Sequence, residues 1–242
     1  QIVPDYQFWK SKFENAIQYR KSFQLIDNEY TNIFRLVNGE GDSLPGLIID
    51  WFHGNVVIQF HSIGMYFLKD TIIQILLELF PNKIKSIYNK SASTLFENTD
   101  IEDTDGLLYG QLDEVLVHEN GIPFYVDIEN GQKTGFFIDQ RDNRALVGQF
   151  SKGKNVLNLF CYTGGFSLYA LQGGANLVHS VDISKRAIEW TDRNVDLAEN
   201  KEKHTSYAEN VFDFLDQMED GFYDLIILDP PAFAKHHRAK EQ

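Results

Sequence analysis

A single cysteine, Cys161, in 242 residues excludes an internal disulfide and any zinc site built from several thiolates, and it fits a reducing compartment. Basic residues are outnumbered: 22 Lys and Arg stand against 35 Asp and Glu, a net charge of -13. The chain as a whole therefore has no attraction for phosphates or anionic membranes, and any nucleic-acid contact has to be local. Long apolar runs are missing too. Thr71-Ile-Ile-Gln-Ile-Leu-Leu-Glu-Leu-Phe80 is too short and too polar to span a bilayer, and Gln1-Ile-Val-Pro-Asp5 has neither the basic start nor the apolar stretch of a signal peptide. No membrane partner is expected, and the simplest reading is a soluble, cytoplasmic protein. The seven histidines are scattered outside any two-His helical pattern, so no metal is expected either. What is present, 43% hydrophobic and 24% charged residues, is globular composition with room for one large domain or two modest ones.

Phe8, Trp9, Phe13, Ile17 and Tyr19 fall at helical spacing between Tyr6 and Phe23, which predicts an amphipathic helix. Gly46 to Phe52 and Asn55 to Phe60 flank His53-Gly54 as a hairpin, and Glu114 to His118 with Ile122 to Val126 form a second one about Asn120-Gly121. Between them lie a helix from Met65 to Phe80, stopped by Pro81, a strand from Lys83 to Asn89, and an exposed loop from Ser91 to Gly106. From Gly131 short apolar runs alternate with helical segments, the sign of βαβ units and a parallel sheet. Strands are expected at Asn155 to Phe160, Leu177 to Asp182, His204 to Ala208 and Asp224 to Asp229. The fold class is thus α/β: a small α/β domain over residues 1–129, then an incomplete Rossmann-like sheet over residues 130–242, with ligands at the carboxyl ends of its strands.

Val156-Leu-Asn-Leu-Phe160 runs straight into Cys161-Tyr-Thr-Gly-Gly165, with a helix beginning near Phe166. A turn that tight needs glycine, so Gly164 and Gly165 are expected to take strained φ values and bring backbone N–H groups to the polar part of a nucleotide-like cofactor. About 20 residues later, Asp182 closes the next strand, where its carboxylate can accept hydrogen bonds from a ribose diol. A dinucleotide is disfavoured because the full glycine fingerprint is absent and Phe160 and Tyr162 would crowd a pyrophosphate. S-adenosylmethionine carries no phosphate and tolerates fewer glycines. The ordinary alternative is a plain loop.

Asp224-Leu-Ile-Ile-Leu-Asp-Pro-Pro231 reads as a central strand ending in a carboxylate that two prolines hold rigidly at the sheet edge. Asp229, Pro230 and Pro231 are the candidate catalytic residues. The alternative reading is a strand-terminal acid that caps its loop. Methyltransferases acting on exocyclic base nitrogens often place an aromatic residue directly after Asp/Asn-Pro-Pro, but here Ala232 intervenes before Phe233, which counts against amino-group transfer. Phe233 remains a base contact, and Lys235 and Arg238, in the densest basic stretch, suit phosphate. A solvated loop is the competing reading.

Three segments, Gly39 to Asp50, Gly131 to Arg144, and Asn158 to Gly165 with Asp229-Pro-Pro-Ala-Phe233, resemble the bacterial large-subunit ribosomal RNA cytosine-C5 methyltransferases. The resemblance implies a central α/β domain joined to a class I methyltransferase domain, with S-adenosylmethionine as cofactor and ribosomal RNA as partner. A PUA domain is normally ahead of both and is not among these residues. It also implies that Gln140 and Arg141 lie near the methionine moiety, although Asp139 reads equally well as the N-cap of a helix from Gln140 to Phe150. Asn210 stands where an acidic residue commonly meets the adenine amino group, and an amide oxygen can accept that bond. The expected cofactor set is Gln140, Arg141, Asn158, Phe160, Thr163, Gly164, Gly165, Asp182, Ile183, Asn210 and Asp229. A homodimer is left open.

Carbon-5 of a pyrimidine needs a thiolate added to the neighbouring ring carbon, helped by an acid such as a burial-perturbed Asp229. Cys161 lies inside the cofactor turn and reads as structural, and the resemblance places the nucleophile on a later strand beyond Gln242. The chain is therefore expected to be a fragment whose last strand has an unpaired edge, binding cofactor weakly without catalysing carbon-5 transfer. Guanine-N7 methylation, which needs no thiolate, and a non-catalytic RNA-binding module are the alternatives.

Overall fold

The computed structural model describes residues 4–95 and 105–231. The chain divides into two compact units, residues 1–138 and 139–242.

In the first unit, α1 (Tyr6–Ser22) begins at Asp5, whose carboxylate accepts from Phe8 N at 2.8 Å as an N-cap. Five strands follow: β1 (Ile33–Asn38), β2 (Leu47–Phe52), β3 (Asn55–Phe60), β4 (Ser86–Lys90) and β5 (Asp105–Gly110), paired in that order. Only β3 and β4 run parallel, which requires a crossover, and α2 (Ile63–Tyr66) with α3 (Lys69–Leu79) supplies it. The expected single helix is broken at Phe67-Leu68. β3 is buried along its whole length, and Phe13, Ala16 and Ile17 of α1 join Ile72, Ile75 and Leu76 of α3 in the core beside it. The β2–β3 turn takes left-handed φ at His53 (+49°) and Gly54 (+92°), and the hairpin of β6 (Val115–Glu119) and β7 (Ile122–Val126) does the same at Asn120 (+52°) and Gly121 (+78°). Both turns match the right-handed twist of their strands.

The segment after β7 is pinned to this unit. The buried Lys90 ammonium donates to Ile128 O and, at 2.6 Å, to Gly131 O. Thr134 Oγ1 donates at 2.7 Å to Asp50, a fully buried carboxylate that also takes two bonds from Arg35. Phe136 packs on Phe124 with ring centroids 5.1 Å apart. Two of the motif segments, Gly39 to Asp50 and Gly131 to Arg144, thus meet through a hydrogen bond.

The second unit contains α4 (Arg141–Phe150), β8 (Asn155–Leu159), α5 (Gly165–Gln172), β9 (Leu177–Asp182), α6 (Lys185–Val195), β10 (His204–Ala208), α7 (Val211–Asp216) and β11 (Leu225–Leu228). All four strands are parallel, in the order β10-β9-β8-β11. The order reverses at β8, whose neighbours are β9 on one side and β11 on the other, so a crevice opens past the carboxyl ends of β8 and β11. Asp139 does not cap α4. A 3-10 turn over Ile138–Gln140 precedes the helix and puts Gln140 at the N-cap position without a side-chain cap. Among the described residues no helix is long and apolar enough to cross a membrane.

Candidate functional site

The strand ends bring the sequence-derived residues into one row. Leu228 pairs with Leu159, so Asp229 and the turn beginning at Phe160 leave the sheet side by side. On the other side Leu159 pairs with Val181, and Ala208 pairs with Asp182, which sets Asp182-Ile183 and then Asn210 along the same edge.

The turn after β8 takes left-handed φ at one of its two glycines and at two residues that the glycines do not mark. Gly164 has φ +77°, but Gly165 is already the first residue of α5, and the other left-handed positions are Phe160 (+56°) and Tyr162 (+51°). Each side-chain-bearing residue in that region costs roughly 1–2 kcal/mol, and the surroundings hold the turn in place. Cys161 N donates to Val181 O at 3.1 Å, Tyr162 N to the Asp182 carboxylate at 3.0 Å, and Thr191 Oγ1 to Tyr162 O at 2.9 Å. Gly164 is needed for packing as well as for φ, because a Cβ there would lie 2.8 Å from the Thr191 methyl. Asp182 also accepts from Ser184 N at 2.9 Å. Two of its roughly four acceptor positions are therefore used on the fold, and the rest suit a ribose diol.

Beneath the turn a polar chain crosses the sheet. Asn158 Nδ2 donates to Ser167 Oγ at 2.9 Å, Ser167 meets Ser180 at 2.7 Å, and Ser180 meets His204 Nε2 at 2.7 Å. Asn158 is 1% exposed, so its side chain braces β8 against α5 from below. Burial pulls the His204 pKa down to about 4 and pushes the Cys161 thiol up to about 12. Cys161 is thus an inert core thiol. Thr163 is also buried, and its carbonyl accepts from Asn194 at 3.0 Å.

Gln140 and Arg141 begin α4, one turn before Arg144, whose side chain is buried against Gly165: a Cβ on that glycine would sit 3.2 Å from Arg144 Cδ. The guanidinium at the α5 amino terminus had no signal in the sequence beyond its place in the Gly131 to Arg144 segment. Asn210 Oδ1 accepts from Phe212 N at 2.8 Å as the N-cap of α7, so one of its acceptor positions is committed. Ile183 is 69% and Phe212 60% exposed. These two apolar side chains follow neighbouring strands and can cover the faces of an adenine. Phe212 carries no distinguishing signal in the sequence, because one aromatic after a short strand looks like ordinary core. The burial expected of Asp229 is not found: against the described residues it is exposed, like Pro230 and Pro231. Phe233, Lys235 and Arg238 lie outside the described residues. Among the described residues no cluster of three or more His, Cys, Asp or Glu is arranged to hold a metal ion.

These donors and surfaces fit S-adenosylmethionine: a carboxylate with acceptor capacity left for the ribose, apolar side chains for the adenine, and a glycine turn at a helix amino terminus for the amino-acid tail.

Known proteins similar to this chain agree. A protein of Tolumonas auensis named ribosomal RNA large subunit methyltransferase I is 39% identical over 238 residues, 96% of this chain and 59% of that protein. Its namesake from Shewanella amazonensis is 41% identical over 235 residues, 95% of this chain and 58% of that protein. The chain thus spans less than two thirds of the length of these curated relatives. A crystal structure of a candidate methyltransferase complexed with SAH superposes with a TM-score of 0.84 at 31% identity, over 97% of this chain and 60% of that one. A candidate SAM-dependent methyltransferase from Streptococcus mutans gives 0.82 at 30%, over 96% and 60%. The sequence profile of one family matches residues 101–241, the greater part of the chain and all of the strand ends described above, and by that match the chain belongs to the S-adenosylmethionine-dependent methyltransferases.

Proposed function

We propose that this chain is the cofactor-binding part of an enzyme that methylates large-subunit ribosomal RNA, with carbon-5 of a cytosine as the acceptor. The observation that carries the transfer chemistry is the crevice between β8 and β11, which sets the glycine turn and Asp229 side by side. The ribosomal target is supported by the names of the relatives, the carbon acceptor by the family resemblance of the three motif segments, and Ala232 directly after Asp-Pro-Pro counts against an exocyclic amine.

When bound, the cofactor supplies an electrophilic methyl group. Asp182 accepts from the ribose diol, Ile183 and Phe212 enclose the adenine, and Asn210 offers it an amide. Gln140, Arg141 and the amino terminus of α5 orient the amino-acid tail. Pro230 and Pro231 fix the backbone after β11 and hold Asp229 at the base, and Phe233, Lys235 and Arg238 are the sequence-based choice for RNA contact. Cys161 does not supply the thiolate that carbon-5 requires, since it is 5% exposed with its pKa pushed up to about 12. Carbon-5 transfer thus needs a thiolate from outside these 242 residues. The same observation favours guanine N7 as the second reading, because a ring nitrogen needs no thiolate. A map of methylated bases in ribosomal RNA from cells with and without the gene decides: loss of a cytosine carbon-5 mark is expected, loss of a guanine-N7 mark selects the second reading, and an unchanged map refutes both.

A further inference from the structure

A surface on the first unit, remote in sequence from the strand ends, has the chemistry of a nucleotide site. Residues 8, 12, 15, 19 and 23 follow one another at helical spacing along α1 and its C-cap. Phe8, Tyr19 and Phe23 are 42%, 59% and 60% exposed, a density of bare aromatics that solvent alone does not favour. The Lys12 ammonium lies 5.3 Å from the Phe8 ring centroid, and Phe23 meets Tyr19 edge to face at 5.0 Å. Beside this ridge, between α1 and the Gly39–Asp42 turn, is a cavity of about 420 Å³, within the usual range for ligand sites. Lys12, Asn15 and Tyr19 line its helix side, and Asn38 and Ser43 the other.

The charged residues of its lining are Lys12, Arg20 and Asp42. Asp42 at the floor is neutralised by a buried, two-bonded pairing with Arg20. Glu14 and Glu40 are not among the residues that line it. Lys12 has no acidic partner among the described residues. Exposed aromatic faces beside the Lys12 ammonium, next to a cavity lined by amides and a hydroxyl, suit a base that has left its stack and a phosphate next to it.

We propose that this cavity and the aromatic ridge hold an unpaired nucleotide of the RNA, with Tyr19 as the stacking platform, Lys12 on a phosphate, and Asn15 and Asn38 at the base edge. The inference rests on the RNA-methyltransferase reading and adds a binding site to it. The test uses the full-length protein and a fluorescein-labelled single-stranded fragment of large-subunit ribosomal RNA, with the same strand annealed to its complement for comparison. Tyr19→Ala weakens single-strand binding about tenfold, Tyr19→Phe restores it, and duplex binding changes less. Lys12→Ala, the second variant should Tyr19→Ala unfold, lowers the slope of log affinity against log salt by about 0.7. SAH affinity, read by calorimetry on each variant, stays at the wild-type value. Unchanged RNA affinity and salt slope in both variants, or equal loss for single strand and duplex, would overturn the proposal while the base map leaves the methyltransferase reading standing. A wild-type protein that binds no RNA and leaves the base map unchanged would overturn both.

Discussion

Replacing Gly164 with alanine tests whether the turn after β8 is held by backbone conformation, by packing, or by both. At φ +77° a side chain costs roughly 1–2 kcal/mol. The new Cβ also falls 2.8 Å from Thr191 Cγ2 and 3.3 Å from Thr191 Cβ and Oγ1, an overpacking that adds roughly 1–3 kcal/mol. Together Gly164→Ala should lose about 2–5 kcal/mol. Thr191→Ser separates the two contributions, because it deletes the clashing methyl and keeps the hydroxyl that donates to Tyr162 O. In a double-mutant cycle by urea unfolding, the pair should recover about 1–3 kcal/mol of the steric part and leave the φ cost in place. SAH affinity measured alongside should stay reduced in the double variant, since the turn backbone remains displaced. A loss below about 1 kcal/mol with no coupling to Thr191 would show that the turn yields freely, contradicting the view of a braced cofactor loop.

His204 provides a pH test. Its folded pKa is lowered from 6.5 to about 4 by burial, so the unfolded chain binds its proton first; the stability it permits is complete above pH 6.5 and falls as pH drops toward 4. At pH 5 the loss is about 2 kcal/mol, and the acid slope of urea-unfolding stability should flatten in His204→Gln; an unchanged slope refutes the assignment. Asp182→Asn turns one accepting oxygen into a donor facing a backbone N–H, either Tyr162 N or Ser184 N. That mismatch costs about 1–3 kcal/mol, and calorimetry should show SAH affinity reduced at least about tenfold, where a wild-type affinity would remove Asp182 from the cofactor site. Lys90→Met strands the carbonyls of Ile128 and Gly131 and should cost about 1–3 kcal/mol in chemical denaturation, with no loss expected only if those carbonyls are already wet.

Where local pattern and burial agree, the sequence is a good guide. β9 falls at the residues its apolar run marks, and both hairpin turns sit on His53-Gly54 and Asn120-Gly121 as turn chemistry demands. β5 is different: Asp105-Gly-Leu-Leu-Tyr-Gly110 is an exposed strand whose existence depends on pairing with β4, information held by residues far away in sequence. The 3-10 turn before α4 displaced Asp139 from its cap for the same reason, since Thr134 and Phe136 anchor the preceding segment on the first unit. At the candidate site the row of strand ends was legible. The left-handed Phe160 and Tyr162 were not, because only the straps from Asp182 and Thr191 make those conformations tolerable. Likewise, nothing local says that Asn158 points down toward Ser167.

The strand order of the second unit also sets a timetable. Val156 in β8 pairs with Leu225 in β11, sixty-nine residues later in the chain, while the hairpins of the first unit close as soon as their second strand exists. At ordinary rates of synthesis β8 would wait roughly 3–14 s for that partner. During this interval the backbone of a buried strand offers its open edge to any other nascent chain. The crevice that defines the candidate site is thus the last part of the described sheet to form, and the yield of folded protein should be more sensitive to translation speed and chaperone supply than its equilibrium stability suggests.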